Sequence, residues 1–335
     1  MLFALEGSRA LGERIATRLG LTLAPHEERI FEDGEHKGRP LVPVRGHDVH
    51  VLLSLFAAPS SSIDQKLCRL LFFIGALKDA GAGRVTAITP HLAYGRKDRR
   101  TKPQDPVTTR YVARLFEAVG TDQILAVDVH NEAAFENAFR CGAESVSARG
   151  LFVRHLLPLL EGREAVVVAP DTGGSKRAEA LRLLLETALG RPVGSALMEK
   201  HRSGGEVSGT GFVGEVAGRV AIVPDDLVST GGTMRRCAAA CRERGAEAVF
   251  ALATHGLFAG EAAAMLADPV FTGIVVTSSV PAPPLPVAAK TRLTMLDLAP
   301  LLAEAVRRLH GGGSLAELSD SLELPGGPVV LEMRE

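Results

Sequence analysis

The sequence has no excess of either charge and no long uncharged apolar run, and each absence excludes a class of protein. Its 38 lysines and arginines are balanced by 39 aspartates and glutamates, for a net charge of −1. A general positive field for nucleic acid is therefore absent, and any anion site has to be local. No stretch approaches the length of a bilayer span without charges, so we expect a soluble, cytoplasmic protein with no membrane partner.

Cysteines are few, and two common catalytic signatures are missing. Cys237 and Cys241 are separated by one helical turn, whereas Cys68 and Cys141 stand alone, and no C-x-x-C pair occurs. Because a zinc site needs a second cluster of ligands, we interpret all four as reduced thiols. The chain also contains neither a Walker A sequence nor a G-x-S-x-G nucleophile elbow. P-loop NTPase and α/β-hydrolase chemistry are therefore not expected.

The 335 residues, 46% of them hydrophobic, suffice for two buried cores. Apolar strand patterns alternate with amphipathic helix patterns from the first residues, where Leu2–Leu5 predicts a strand and Arg9–Leu19 a helix ended by Gly20. The pattern restarts around residues 146–150, and a short apolar run at 328–331 suggests an added edge strand. We therefore predict an α/β protein with two similar halves.

The most informative stretch is 220–233. Apolar residues from Val220 predict a buried parallel strand, Asp225 and Asp226 stand at its end, and a helix is predicted from Met234 to Arg244. The turn between them is rich in small and hydroxyl residues, namely Ser229, Thr230, Gly231, Gly232 and Thr233. Such a turn binds a phosphate, and the acids suit a sugar diol, directly or through a hydrated divalent cation. The alternative is an ordinary solvated turn.

A basic loop follows the predicted strand Arg84–Thr89, and it includes Arg96, Lys97, Asp98 and Arg99. A charge run can be plain solvated surface or an anion site. His130 ends the next predicted strand, and by itself it can be a core residue or a ligand. Because parallel strands end at the same edge of a sheet, where ligands bind in α/β folds, we treat both as candidate site residues.

Two further segments frame the phosphate turn. Asp171 follows the predicted strand Ala165–Ala169 and precedes a Gly-rich turn, which repeats the design of 220–233. Residues 199–207 are polar, basic and glycine-containing, so we expect a mobile loop that can act as a lid. The G-x-G-x-x-G at 209–214 opens no helix, and we interpret its glycines as hairpin residues rather than a dinucleotide site.

The order of these segments resembles that of the ribose-phosphate diphosphokinase family over residues 1 to about 315. The matching segments are F-E-D-G-E at 31–35, G-R-K-D-R at 95–99, D-V-H at 128–130, P-D-T-G-G at 170–174, K-H-R at 200–202 and the turn at 225–233. The resemblance implies ATP contacts at Phe31, Asp33, Glu35, Arg96, Lys97, Asp98, Arg99 and His130. It further implies magnesium ligands at His130 and Asp171, catalytic roles for Lys200 and Arg202, and ribose 5-phosphate binding by Asp225, Asp226 and residues 229–233.

The resemblance also implies a fold and a reaction. The fold has two phosphoribosyltransferase-like domains, each a mainly parallel sheet flanked by helices. We assign the ATP-side domain to residues 1–147, joined by a helix at 297–315, and the second domain to 148–296. The reaction is the Mg²⁺-dependent transfer of the diphosphoryl group of ATP to O1 of ribose 5-phosphate, which gives phosphoribosyl diphosphate and AMP. Members of the family form homo-oligomers.

Some positions depart from the family pattern. Lys97 stands where glutamine is usual, Pro224 where an aliphatic residue is usual, and Asp64-Gln65 where an Asn-Asp pair is typical. Two alternatives therefore stay open. One is a non-catalytic regulatory homologue of the enzyme, and the other is a phosphoribosyltransferase, which would consume the diphosphate rather than make it.

Overall fold

The computed structural model describes residues 1–203, 206–260, 262–282, 285, 287–323 and 329–331, with side chains described except at 199–203, 206–210, 263 and 287–288. It divides into two compact units. Unit 1 comprises Met1–Ser147 and Leu298–Leu318, and unit 2 comprises Ala148–Asp297 and Ser319–Glu335. No helix within the described residues combines the length and apolar character that a membrane span requires.

Unit 1 is built on a five-stranded parallel sheet with the order β1-β4-β5-β6-β7. Its strands are β1 (Leu2–Ala4), β4 (Asp48–Leu52), β5 (Arg84–Thr89), β6 (Gln123–Val127) and β7 (Gly142–Val146), with a separate antiparallel hairpin of β2 (His26–Ile30) and β3 (His36–Pro40). Its helices are α1 (Arg9–Leu19), α2 (Ile63–Asp79), α3 (Thr108–Ala118), α4 (Glu132–Ala138), α10 (Ala299–Gly311) and α11 (Leu315–Ser319).

Unit 2 is built on an eight-stranded sheet with the order β10-β9-β8-β11-β12-β13-β14-β15. Its strands are β8 (Ala165–Ala169), β9 (Gly194–Ser203), β10 (Glu206–Val213), β11 (Val220–Val228), β12 (Ala248–Gly256), β13 (Gly273–Thr277), β14 (Leu293–Leu296) and β15 (Val330–Leu331). Its helices are α5 (Arg149–Leu156), α6 (Ser175–Leu189), α7 (Gly232–Glu243), α8 (Ala262–Ala267) and α9 (Val287–Lys290), with 3₁₀ turns at Leu157–Leu160 and Thr172–Gly174. Only β10 and β15 run antiparallel to their neighbours in this described sheet.

Composition explains why these strands form parallel sheets. All five residues of β8, Ala-Val-Val-Val-Ala, are buried, and all nine of β12 are buried. A strand covered by helices on both faces has to be apolar throughout, and β-branched valines favour the extended backbone. The expected α/β class with two mainly parallel sheets flanked by helices is therefore confirmed.

The two units repeat one order of elements. In unit 1 a strand and helix (β1, α1) lead to an antiparallel hairpin, and alternating strands and helices from β4 to β7 follow. In unit 2 the same order runs from β8 and α6 through the β9–β10 hairpin to β14. The prediction of two similar halves is confirmed by this repeat, and β4 and α2 are the counterparts of β11 and α7.

Several local predictions differ from the structure. Residues 199–207, expected to be a loop, lie in β9 and β10 apart from 204–205, which are outside the described residues. The residues that follow include β-branched and aromatic types, namely Thr210, Phe212 and Val213, and these residue types favour a strand. β11 continues to Val228, beyond the predicted strand end. The predicted edge strand near the C-terminus is present at Val330–Leu331.

Helix ends follow the sequence signals in part. Gly20 ends α1 in the left-handed conformation, with φ of 69°, as predicted. Ser8 occupies the N-cap position of α1, but its hydroxyl does not bind the helix. Instead, Ser8 Oγ accepts a hydrogen bond from the Ser54 N–H at 2.9 Å and ties the end of β1 to the end of β4.

Gly12 tests the packing of α1 on the sheet. A Cβ at Gly12 would lie 2.3 Å from the Ala4 Cβ, whereas a Cβ at Gly75 in α2 would meet nothing within 4 Å. Alanine in place of helical glycine gains about 1 kcal/mol of helix propensity, but overpacking costs about 1–3 kcal/mol. We expect Gly12→Ala to lower the thermal midpoint and the matched Gly75→Ala to leave it unchanged or raise it. Equal responses in thermal denaturation would contradict this packing.

Candidate functional site

A crevice opens at the carboxyl edge of the unit 2 sheet, between β8 and β11. These strands pair only from Val220↔Ala165 to Ile222↔Val167. Beyond that point β11 pairs with β12 alone, as far as Val228↔Gly256. The chain leaves β8 for β9 on one side, and β11 lies on the other side, so this is a switch point in the strand order. Ligands of open α/β sheets bind at such points.

Asp225 and Asp226 lie within β11 and not after it, which corrects the predicted position of the acid pair. The strand persists because its other edge stays paired with β12, so Pro224, which has no N–H, does not end it. Asp226 is buried, and the Asp225 side chain is about one quarter exposed (26%). The pair is therefore held beside the crevice by a paired strand.

Arg177 bridges the two carboxylates. It lies in the first turn of α6, and its Nη1 is 3.3 Å from Asp225 Oδ1 and 3.5 Å from Asp226 Oδ1. Burial and the neighbouring Asp226 raise the pKa of Asp225 to about 7, and Arg177 opposes that rise. The sequence reasoning missed Arg177. Its place six residues after Asp171, on the helix that follows the Gly-rich turn, was the available signal.

The turn after β11 is shaped for close approach of an anion. Gly231 has φ of 76°, and a Cβ there would lie 2.6 Å from Met265 Cγ, so both backbone and space require glycine. The Val228 carbonyl accepts hydrogen bonds from the N–H groups of Leu257 (2.9 Å) and Phe258 (3.0 Å), which fixes the turn to the end of β12. The first N–H groups of α7 have no partner within the helix and can bind an oxyanion.

Arg236 is a second residue that the sequence reasoning missed. Its Nη2 donates to Thr233 Oγ1 at 3.3 Å, and a Cβ on Gly232 would lie 3.4 Å from its Nη1. Residues three and four positions apart share one face of a helix, so the spacing from Thr233 was the available signal. The exposed guanidinium adds a positive charge beside the turn.

Asp171 lies at the end of β8, on the opposite side of the crevice from the turn. Its Oδ1 accepts a hydrogen bond from the Gly174 N–H at 3.1 Å, which caps the 3₁₀ turn before α6. A Cβ at Gly173 would lie 3.3 Å from the same Oδ1. An ionised carboxylate accepts hydrogen bonds at both oxygens and can also bind a metal, so Asp171 is a candidate ligand at this edge of the crevice.

The basic loop of unit 1 is held in shape by one of its own predicted site residues. The Lys97 ammonium donates to Asp105 Oδ2 and to Thr101 Oγ1, the latter at 3.0 Å. Asp105 Oδ2 also accepts from the N–H groups of Thr101 and Lys102. The hydrogen bond from Lys97, followed by those from Thr101 and Lys102, holds the pKa of Asp105 well below its usual range. Arg96 and Arg99 are exposed. Lys97 therefore closes the loop, and the arginines face solvent.

His130 and the basic loop are brought together in unit 1. His130 is exposed after β6, and the next residue, Asn131, donates to Asp98 Oδ2 at 2.6 Å while its Oδ1 caps α4. Asp128 has φ of 40°, and its Oδ1 accepts from Ser147 Oγ at 2.8 Å. The segments 95–99 and 128–130 thus share one edge of the sheet, as the sequence predicted from parallel strands.

The acidic turn at 31–35 joins β2 to β3. The Phe31 N–H donates to the Glu35 carbonyl at 2.8 Å, and Asp33 Oδ1 accepts from the Glu35 N–H at 3.0 Å. The Arg29 guanidinium lies 4.8 Å from the centre of the Phe31 ring. Asp33 and Glu35 are exposed at the tip of the hairpin.

For the two predicted catalytic residues the structure describes only the backbone. Lys200 and Arg202 lie in β9, and their side chains are outside the described residues. Within the described part of the chain, no group of three or more His, Cys, Asp and Glu side chains forms a ready metal cage. All four cysteines are free thiols, and a hydrogen bond with Cys241 together with burial raises the pKa of Cys237 far above its usual value.

Comparisons with known proteins show the family of the chain. The family described as the N-terminal domain of ribose phosphate pyrophosphokinase matches residues 1–120, and the phosphoribosyl synthetase-associated domain matches residues 204–319. Ribose-phosphate pyrophosphokinase from Pasteurella multocida is 35% identical over 320 residues, which cover 95% of this chain and 98% of that protein. The chain belongs to the ribose-phosphate pyrophosphokinase family.

Other relatives support the same membership. The ribose-phosphate pyrophosphokinase of Vibrio vulnificus is 35% identical over 328 residues, covering 95% of this chain and 98% of the relative. The crystal structure of phosphoribosylpyrophosphate synthetase from Mycobacterium smegmatis superposes with a TM-score of 0.83 and 32% identity, covering 93% of this chain and 99% of that one. The resemblance to the ribose-phosphate diphosphokinase family, which is this same family, is therefore confirmed.

The raised pKa of Asp225 predicts a pH-dependent stability. In the unfolded chain Asp225 ionises near 3.8, but in the folded chain it ionises near 7, so its ionisation opposes folding progressively between these values. We expect Asp225→Asn to raise the thermal midpoint above wild type, and to raise it by more at pH 8 than at pH 5, where only part of the loss has occurred.

The control for Asp225→Asn is the same substitution at an exposed aspartate. Asp79 is exposed at the end of α2, and Asp79→Asn should shift the midpoint equally at both pH values. A difference between wild type and Asp225→Asn that does not change from pH 5 to pH 8 would contradict the assigned burial of this carboxyl group.

Proposed function

We propose that this protein is an active ribose-phosphate diphosphokinase, which transfers the diphosphoryl group of ATP to O1 of ribose 5-phosphate and releases AMP. The observation that carries the proposal is the unit 2 crevice, where two carboxylates in β11 stand beside a glycine turn at the start of α7. A phosphate and a sugar diol need these two kinds of partner, one donor-rich and one acceptor-rich.

The turn would bind the 5-phosphate of the pentose. N–H groups at the start of α7 and the hydroxyls of Ser229, Thr230 and Thr233 would donate to its oxygens, and Arg236 would add charge. Asp225 and Asp226 would accept hydrogen bonds from the ribose hydroxyls, with Arg177 holding the pair in place. Binding at both ends orients O1, and fixing the nucleophile removes much of the entropic barrier to transfer.

The unit 1 segments would bind ATP. Arg96 and Arg99 would contact the triphosphate, since Lys97 is engaged with Asp105 and Asp98 with Asn131. Phe31 would pack against the adenine, and Asp33 and Glu35 would accept from its amino group or from the ribose. We propose that unit 1 is the ATP side and unit 2 the ribose 5-phosphate side.

Magnesium is the implied cofactor, and the donor set fits it. Mg²⁺ keeps several waters and takes few protein ligands when it binds a nucleotide, so a full protein cage is not required. Asp171 in unit 2 offers a carboxylate at the end of β8, and His130 in unit 1 is exposed after β6. When bound, Mg²⁺ neutralises charge on the phosphate oxygens. Asp171 and His130 would then position the polyphosphate.

Lys200 and Arg202 would stabilise the transferring group. Phosphoryl transfer depends on positioning and on neutralising charge over the nonbridging oxygens, so cations that engage only in the transition state raise turnover. The regulatory alternative would be expected to lose such residues, yet Lys200, Arg202, His130 and Asp171 are all present. A phosphoribosyltransferase would leave the basic loop of unit 1 without a role.

Incubation of the protein with ATP, Mg²⁺ and a panel of pentose phosphates tests the function. We expect AMP to form in step with phosphoribosyl diphosphate when ribose 5-phosphate is the acceptor. Absence of AMP from protein with an intact site would favour the regulatory homologue. Diphosphate release on addition of a nucleobase to phosphoribosyl diphosphate would favour the transferase. Homo-oligomer formation is checked on the same sample by light scattering.

Lys200→Ala separates catalysis from binding. Loss of a charge that acts in the transition state lowers kcat by about 10²–10³-fold, whereas KM for ribose 5-phosphate should stay within about threefold. Lys290→Ala on α9 removes a lysine outside the proposed site and should leave both constants unchanged. Equal changes in kcat and in affinity for ribose 5-phosphate would refute the assignment of Lys200.

A further inference from the structure

Unit 1 contains a pocket of about 270 Å³ that the proposed reaction does not use. It lies between the turn after β1, the β2–β3 hairpin and α2. Leu5, Ile30 and Phe73 form its apolar wall, and Arg9, Arg29 and Arg69 are among its polar lining. The residues of the acidic turn at 31–35 and of the basic loop at 95–99 are not among those that line it.

Buried polar atoms in the lining of this pocket and beside it have no hydrogen-bond partner among the described residues. Lys66 is 3% exposed, and its Nζ makes no hydrogen bond in the described structure. The same holds for Arg69 Nε and for His36 Nε2, both from residues that line the pocket. Buried donors and charges are normally paired, because leaving them unpaired costs several kcal/mol (roughly 1–3 for a neutral donor, more for a charge).

Lys66 lies on α2 beside the pocket and is not one of the residues that line it. Its Nζ lies 3.1 Å from the centre of the Phe56 ring and would be 3.4 Å from a Cβ on Gly7, the residue after pocket-lining Glu6. Lys66 and Arg69 are three residues apart, so both cations lie on one face of the helix. Burial and the charge of Arg69 lower the pKa of Lys66 to about 8.

The carboxylates nearby do not neutralise these cations. Glu28 Oε1 already accepts from the Glu6 N–H at 2.7 Å and contacts His26 Nε2 at 3.0 Å. The Glu6 side chain is exposed and acts on Lys66 only through space. No ion pair of Lys66 or Arg69 occurs within the described residues. The cluster is therefore short of negative charge.

We propose that this pocket binds a phosphoryl group, with Arg69 as a cation of its lining, Lys66 as a second cation beside it, and the apolar wall facing the rest of the ligand. A phosphate dianion supplies the charge and the several acceptor oxygens that these donors lack. The repeat of the fold supports the position, because the turn after β1 and helix α2 are the unit 1 counterparts of the Asp171 turn and α7 in unit 2.

The site differs in chemistry from its unit 2 counterpart. The N-terminus of α2 is already closed by a capping box, in which Ser62 Oγ accepts from the Gln65 N–H and Gln65 Oε1 accepts from the Ser62 N–H. Helix N–H groups are therefore less available than at α7, and side-chain cations take over the role of the anion partner. Lys66 is therefore buried without a carboxylate partner among the described residues.

Lys66→Met tests the site by two measurements. The thermal midpoint of the ligand-free protein should rise, whereas the binding of phosphate should fall. Methionine fills the same space without charge, so we expect the thermal midpoint of the ligand-free protein to rise. Equilibrium dialysis with labelled inorganic phosphate should show one bound phosphate fewer per chain than wild type, with the affinity of that site reduced at least tenfold. Arg69→Gln should give the same loss, and Arg114→Gln on an exposed face of α3 should retain wild-type binding.

The outcomes separate the sources of the phosphoryl group. A one-site loss seen with inorganic phosphate alone identifies the free ion, and a loss seen with labelled glycerol 3-phosphate as well identifies phosphate monoesters. Unchanged stoichiometry for both ligands in Lys66→Met and Arg69→Gln would overturn the proposal. So would a lowered ligand-free midpoint in Lys66→Met together with intact binding, because Lys66 would then be a structural residue.

Discussion

The structure of the candidate site depends on where β8 and β11 stop pairing. Their shared ladder covers only residues 220–222 of β11, whereas the pairing of β11 with β12 continues for six more residues. The free edge of β11 beyond Ile222 is therefore held straight by β12 and open toward β8. Two carboxylates occupy that edge, and Arg177 from α6 offsets their mutual repulsion. A sheet that stayed paired throughout would leave no space for a ligand between these strands.

Much of the fold could be predicted from the sequence because the relevant signals are local. The apolar run of β8 and the glycine at the end of α1 each act within a few residues. Arg177 was missed because its partners lie far along the chain, 48 and 49 positions later. Sequence spacing carries no information about such contacts until the strand order is known. The acid pair was placed after its strand because carboxylates have low strand propensity, which pairing with β12 overrides.

The repeat of one element order in both units shows how a shared architecture carries different chemistry. At the start of α7, Gly231 leaves the helix N–H groups open, whereas Ser62 and Gln65 close the start of α2 with their own side chains. Unit 2 thus presents backbone donors and carboxylates, which suit a sugar phosphate. Unit 1 presents arginines, a histidine and a buried lysine, which suit polyphosphate or phosphate. Because the net charge of the chain is −1, the composition alone does not reveal the local carboxylates of unit 2 or the local cations of unit 1.

The central claim is that the crevice between β8 and β11 holds ribose 5-phosphate, and a crystal structure of the protein with that ligand tests it most directly. We expect the 5-phosphate within hydrogen-bonding distance of the turn at 229–233, and the ribose hydroxyls against Asp225 and Asp226. A ligand whose phosphate lies elsewhere, with the turn and the acid pair making no contact to it, would contradict the account.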